Sequence, residues 1–228
     1  MPYPNPFERE EVALTYHRWY ERPPGSILAG LEKKALFHLL SPVEKGSLLE
    51  VGCGTGYFTA WLAELGFDAV GLDRSAPMLK AARERYPKIP FLLASGKSLP
   101  FLSRSFAVVA FITSLEFIGY PGIALREASR VAKKAILLGV MNRLSPYLLY
   151  RRLRNLSMFA QAEASPCSQA RFYTIGELKG LLRSCLDRPF RAVWTTAILS
   201  PRFGYAPSRF YGGGFIAMRV DLSERDIQ

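Results

Sequence analysis

The chain has 228 residues, 49% hydrophobic and 21% charged, which is enough to bury one large core and sets one domain as the expectation. Its net charge of +11 admits nucleic acid, anionic lipid or a small acidic substrate as partners, and equally a surface that is merely solvated. No run of 18 apolar residues is present, so no membrane span is expected; "MPYPNPFEREE" does not read as a secretory leader; and three scattered cysteines (Cys53, Cys167, Cys185) argue against a disulfide framework or a metal site and for a reducing cytoplasm.

Residues 1–25 carry Phe7, Tyr16, Trp19 and Tyr20 and end in the breaker "RPPG". From Ser26, apolar residues at 28, 31, 35, 36, 39 and 40 recur at helical spacing until "SP" stops them. "GSLLEVG" reads as a short buried strand. Phe58, Trp61, Leu62 and Leu65 then mark an amphipathic helix closed by Gly66. "DAVGLD" is a second strand, and "SAPMLKAARERY" a helix with Ser75 as its N-cap and Pro77 in the first turn. "PFLLAS", "FAVVAFIT" and "KAILLGVM" read as three further strands, with "IALREASRVA" as a helix before the last.

The alternation breaks at 142–171, too long for an ordinary connection and read as an inserted cap. It holds Arg143, Arg151, Arg152 and Arg154 among Tyr147, Tyr150 and Leu153. That mixture suits an amphipathic cap with solvated arginines, a wall of an acceptor pocket, or a contact with anionic lipid or RNA. "TIGELKGLLRSC" returns as a helix with a Thr174/Glu177 capping box, and "RAVWTTAIL" and "FIAMRV" close the chain as a hairpin. The expectation is an α/β, Rossmann-like, doubly wound and mostly parallel seven-stranded sheet, helices on both faces, ending in a C-terminal antiparallel hairpin.

Strand, glycine-rich turn and helix in succession make a nucleotide site, lying beyond the C-terminal strand ends. Gly52, Gly54 and Gly56 give G-x-G-x-G, not the dinucleotide G-x-G-x-x-G, and no lysine follows to make a P-loop. Glu50, just before the glycines, would repel a pyrophosphate and attract an ammonium or sulfonium. Asp73, ending the next strand, suits ribose hydroxyls. Either acid could also be incidental surface, and Met78 ordinary core. Cys53 reads as a small residue, since no histidine is placed to activate it. His38 reads as surface, and His17 as a solvated or stacked residue that could touch substrate.

"LLEVGCGTGYFTAWLAELG" followed by "VGLDRSAPML" resembles the first two motifs of class I S-adenosylmethionine-dependent methyltransferases, in the branch called methyltransferase type 11. "SLPFLSRSFAVVAFITSLEFI", "ALREASRVAKKAILLGV" and "TYHRWYERPPG" with Glu32 downstream are similar to that branch's later units and its aromatic N-terminal flap. The resemblance implies S-adenosyl-L-methionine as cofactor, with S-adenosyl-L-homocysteine as product. It implies that Glu50, Gly52, Cys53, Gly54 and Gly56 surround the methionine part. Asp73 and Arg74 would meet the ribose, Met78 the adenine face, and Ser95, Gly96, Lys97, Ser98 and Leu99 the adenine edge. Thr113 would face the ligand, with Tyr16 and Trp19 closing over it. Two positions depart from the branch's pattern: Ser95 stands where an acid commonly meets the adenine amine, and Ala107 where an acid follows "SF". Loss of one such charged hydrogen bond costs about 1.5–3 kcal/mol, so weaker affinity is expected.

Methyl transfer chiefly requires alignment and exclusion of water; an oxygen or nitrogen acceptor also needs a base. Glu116, Tyr120 and His17 are the candidates for acceptor contact or base. A small or lipophilic acceptor fits the cap, with peripheral membrane contact open to it. RNA is the enzymatic alternative, weakened by the absence of an Asn/Asp-Pro-Pro-Tyr type of motif after the fourth strand. A noncatalytic cofactor-binding subunit is the other.

Overall fold

A computed structural model describes residues 6–145, 170–197 and 211–223. In chain order the elements are α1 (Glu10–Glu21), α2 (Gly25–Leu40), β1 (Ser47–Val51), α3 (Tyr57–Glu64), β2 (Asp68–Asp73), α4 (Ala76–Arg85), β3 (Phe91–Leu93), β4 (Phe106–Ile112), α5 (Pro121–Val131), β5 (Ala132–Met141), α6 (Ile175–Cys185), β6 (Phe190–Ala197) and β7 (Phe215–Leu222). One seven-stranded sheet runs β3-β2-β1-β4-β5-β7-β6. The first five strands are parallel, and β7 inserts antiparallel between β5 and β6. The expected doubly wound sheet with its C-terminal hairpin is therefore present. Residues 146–169, most of the expected cap, and 198–210, the expected hairpin loop, lie outside the described residues.

The strands are near-continuous apolar runs because both faces are covered, and successive residues feed different cores. Leu49, Val51, Val109 and Phe111 point to the face covered by α5 and α6, where Leu125, Ala128, Leu178 and Leu182 meet them. Leu48, Val108, Ala110 and Ile112 point to the other, covered by Leu36 and Leu40 of α2 and Phe58 and Leu62 of α3. Helix starts follow the local chemistry: the Ser75 hydroxyl accepts from the Met78 N–H, and Thr174 and Glu177 form the reciprocal capping box. Residues 10–21, read above only as an aromatic segment, form α1, which lies against α2 and α4.

Parity also places an acid in the core. Glu50 shares the α3 face with Leu48, and its sheet neighbours, Gly71 on β2 and Ala110 on β4, are small enough to leave it room. The Thr59 hydroxyl of α3 donates to its Oε2.

Phe111, fully buried at the centre of the sheet, tests the packing. Phe111→Ala is expected to cost about 3–5 kcal/mol in urea unfolding, with the native circular dichroism shape retained below the transition.

Candidate functional site

Where β1, β2 and β4 end, their C-terminal turns and the N-terminal segment enclose a pocket. It is lined by Phe7, Tyr16, Val51, Gly52, Gly54, Leu72, Asp73, Arg74, Met78, Ala94, Gly96, Thr113, Ser114, Phe117 and Ile118. Strand order reverses here, since β1 is flanked by β2 and β4, so the turns splay apart at a topological switch point.

Asp73 organises the floor. Its Oδ2 accepts from the Gly54 N–H and its Oδ1 from the Ser75 N–H, both at 2.8 Å. One carboxylate thus ties the glycine turn to the start of α4. Burial raises its pKa, opposed by the N–H groups of Ser75, Gly54 and Arg74 and by the Arg74 charge. The glycine turn is held from behind by the Leu72 carbonyl, which accepts from the Gly52 and Cys53 N–H groups at 2.7 and 3.1 Å. Gly52 has φ +76°, and a Cβ there would sit 2.5 Å from the Ser114 Cβ, so the turn needs glycine twice over. The Ser114 hydroxyl donates to the Val51 carbonyl at 2.7 Å, closing β4 onto β1 at the same level.

The N-terminal segment roofs the pocket. The Phe7 ring meets Tyr16 and Phe117 edge-on at 5.5 and 4.9 Å, and the Phe7 carbonyl accepts from the Ser75 hydroxyl at 2.7 Å. His17 is buried, with Nδ1 2.9 Å from the Thr55 hydroxyl in the glycine turn. Burial, then the Arg85 charge, lower its pKa. Its ring packs among Tyr20, Tyr57 and Tyr86, so it is a stacked anchor for α1 and not a solvated residue.

Of the residues expected from sequence, Tyr16, Gly52, Gly54, Asp73, Arg74, Met78, Gly96 and Thr113 come together in this pocket. Ser95 and Lys97 line an adjoining depression that shares Arg74 and Ala94 with it. The others fall elsewhere. Trp19 is 48% exposed on α1. Gly56 caps α3 against the Phe91 ring, and Cys53 is buried beside Phe91 and Leu79 with its thiol pKa pushed well up by burial. Leu99 is core, its N–H donating to Glu127; Ser98 is exposed and donates its N–H to the Ser95 carbonyl. Ala107 is a buried β4 residue in the α2-side core. Tyr120 is 66% exposed, with Lys97 over its ring.

Glu50 and Glu116 are both beneath the surface. Burial pushes Glu50 up to about 8, helped by Asp73 and opposed by Thr59. Glu116 lies in a short 3-10 turn, Leu115–Phe117; its Oε1 accepts from the Met141 N–H at 2.8 Å, and burial pushes it up to about 7. A third acid, Glu32 of α2, is buried and pushed up to about 8 by desolvation and by Glu116. Among the described residues no group of three potential metal ligands occurs. No helix of the described residues is long and apolar enough to cross a membrane.

Phe7, Val51, Leu72, Ala94, Ser114, Phe117 and Ile118 line the pocket without being among the residues expected from sequence. Phe7 was noted only as one of several N-terminal aromatics, while "LEFI" after β4 carried a signal in its apolar residues placed just past a strand end.

Comparison with known proteins agrees with this geometry. Residues 49–138 match a family model described as "Methyltransferase domain". An uncharacterised protein of Mycobacterium tuberculosis is 33% identical over 184 residues, covering 79% of this chain; the chain spans 59% of that relative's length. A demethylmenaquinone methyltransferase of Renibacterium salmoninarum is 38% identical over 86 residues, 38% of this chain and 36% of the relative. The crystal structure of a methyltransferase from Thermotoga maritima, described as S-adenosylmethionine-dependent and a possible histamine N-methyltransferase, superposes with TM-score 0.70 at 24% identity. It covers 94% of this chain and 98% of its own, a likeness of fold.

Two measurements test the site. Gly52→Ala is expected to cost about 1–3 kcal/mol in thermal or urea unfolding, from strain at positive φ and the contact with Ser114. The three buried acids give a pH dependence of known sign. Their folded pKa values lie above the ordinary 4.5, so each contributes stability fully below about 4.5 and loses it as pH rises toward 7–8. The difference in unfolding free energy between wild type and Glu50→Gln should therefore shift in the variant's favour as pH rises across that window.

Proposed function

We propose that this chain, whose residues 49–138 match a family model described as a methyltransferase domain, is a class I methyltransferase of the type 11 branch that transfers a methyl group from S-adenosylmethionine to a small or lipophilic acceptor. The observation that carries this reading is the Asp73 carboxylate at the end of β2, in one pocket with the positive-φ glycines Gly52 and Gly54. A carboxylate there has lone pairs left for two ribose hydroxyls after accepting from Gly54 and Ser75. Its charge, and the absence of a lysine after Gly56, disfavour a pyrophosphate.

The residues fit an adenosyl group. Met78, Leu72 and Ala94 supply apolar surface for a base, and Gly96, where a Cβ would sit 2.7 Å from Val51, leaves the wall flat enough to approach. Ser95, expected at the adenine edge, is exposed and accepts from the Lys97 N–H at 3.3 Å. It therefore supplies at most a weak contact there. Gly52, Gly54, Ser114 and Thr113 surround the end at which the methionine part would lie.

When bound, the cofactor supplies an electrophilic methyl on a sulfonium. The chain's own residues then position and shield it. Phe7, Tyr16 and Phe117 exclude water over the pocket, and the turns fixed by Asp73, Leu72 and Ser114 hold the floor rigid, which is what an in-line displacement needs. Glu50, buried under the glycine turn and near Asp73, gains ionisation when a cation is held above it. Cofactor binding and a negative charge at Glu50 thus favour one another. The apolar wall, and the cap expected at 142–171, favour a small or lipophilic acceptor, and the three scattered cysteines favour a reducing, cytoplasmic setting.

Calorimetry with S-adenosylmethionine, S-adenosylhomocysteine and NAD tests the reading. Both adenosyl ligands are expected to bind and NAD not; binding of NAD alone would overturn it. Asp73→Asn should weaken S-adenosylmethionine by roughly ten- to a hundredfold, through one charged hydrogen-bonding group lost to the ribose.

A further inference from the structure

Beside the pocket, where β3 ends, lies a depression of about 370 Å³ that the reading above does not use. Arg74, Leu93, Ala94, Ser95 and Lys97 line it, and it shares Arg74 and Ala94 with the pocket, so the two adjoin. Its wall is a fixed turn. The Ala94 N–H donates to the Asp73 carbonyl at 3.0 Å, which holds the end of β3 against the end of β2. The Ser98 N–H donates to the Ser95 carbonyl at 3.0 Å and closes the turn. Just beyond it, the Leu99 N–H donates to Glu127 at 2.9 Å, and Arg130 donates to the Leu99 and Phe101 carbonyls at 2.9 and 2.8 Å. A turn tied at both ends keeps its shape whether or not a ligand rests on it, so the conformational cost of binding there is small.

The depression is apolar at its base and cationic at its rim. Leu93 is 53% exposed. Lys97 is exposed, with its ammonium 5.4 Å from the centroid of the Tyr120 ring. Arg74 donates to Glu8 at 2.8 Å, so that pair is close to neutral and Lys97 supplies the charge. The acids on either side are turned to other partners: Asp73 accepts from the N–H groups of Gly54 and Ser75, and Glu127 from Leu99 and Arg130. Among the described residues no acidic side chain lines the depression.

Covalent chemistry sets which part of an adenosyl ligand would face it. With the ribose hydroxyls at Asp73 and the methionine part among Gly52, Gly54, Thr113 and Ser114, the base is left the end lined by Met78, Ala94 and Gly96. A purine joins ribose through N9 of its five-membered ring. The six-membered ring, with N6, is therefore directed away from Asp73, toward Ala94 and the depression behind it.

We propose that this depression is a second binding subsite, which takes an acidic group carried on N6 of an adenosyl ligand. The base lies in the pocket, an apolar link crosses Ala94 and Leu93, and the carboxylate meets the Lys97 ammonium. The inference rests on the proposed adenosyl site. A carboxylate at the place of Ser95 would hold the N6 amine and repel an acidic extension. Ser95 is neutral, short and exposed, and leaves the route open. The replacement that loosens the hold on plain adenine thus gives position 6 of the base both room and an opposite charge.

Calorimetry with three ligands tests the subsite: S-adenosylhomocysteine, its N6-(carboxybenzyl) derivative, and the methyl ester of that derivative. Both derivatives are expected to bind at least as tightly as S-adenosylhomocysteine. The acid should bind roughly two- to fivefold more tightly than its ester at low salt, the size of an exposed ion pair, and the gap should close as salt is raised. In Lys97→Glu the order of acid and ester should reverse. Loss of more than about tenfold in affinity for both derivatives, the scale of one hydrogen-bonding group, shows a closed edge and overturns the subsite. Equal binding of acid and ester by the wild type, or a preference unchanged in Lys97→Glu, overturns it as well. Each of these leaves the adenosyl reading standing, whereas failure of the wild type to bind S-adenosylhomocysteine overturns both.

Discussion

The structure depends first on one carboxylate bound by two backbone N–H groups. Asp73 accepts from Gly54 and from Ser75, so the turn after β1 and the turn after β2 are joined through the side chain that ends β2. Without that link each turn would be a separate glycine-rich or polar loop, free to sample other conformations. With it, the floor of the pocket is a single body, pinned also by the Leu72 carbonyl and the Ser114 hydroxyl. Preorganisation of this kind places the conformational cost of the site in folding and not in ligand binding.

A second constraint follows from the sheet. A strand buried on both faces has no solvated side for a polar residue, so every acid on β1 or just after β4 must be desolvated. Glu50 and Glu116 both occupy such places, and Glu32 reaches the same interior from α2. The small neighbours Gly71 and Ala110, the Thr59 hydroxyl and the Met141 N–H are the local adjustments that accommodate them. Desolvation then dominates the ionisation of all three.

The fold was legible because its signals are local and repeated. Short apolar runs alternate with amphipathic helices, and the Ser75 cap and the Thr174–Glu177 box mark helix starts by chemistry that acts within a few residues. The pocket was legible where backbone geometry dictates residue type, as at Gly52, Gly54 and Asp73. It was less so where position depends on how two distant segments pack. Trp19 and Tyr16 are neighbours one turn apart on the same helix, yet Tyr16 lines the pocket and Trp19 is 48% exposed, a difference set by what packs against α1. Glu50 was read as a carboxylate facing a ligand, because a strand's parity between two covered faces cannot be told from the residue alone. Phe7 becomes a roof through contacts with residues far along the chain, Ser75 and Phe117, the latter 110 positions away.

The roof is fastened to the same two turns that make the floor: Phe7 to Ser75, two residues past Asp73, and His17 to Thr55, next to Gly54. Docking of the N-terminal segment and occupancy of the pocket are therefore two equilibria drawing on one set of backbone positions. By thermodynamic linkage, whatever factor a seated ligand gives to closure of the segment, closure must return to the ligand's affinity.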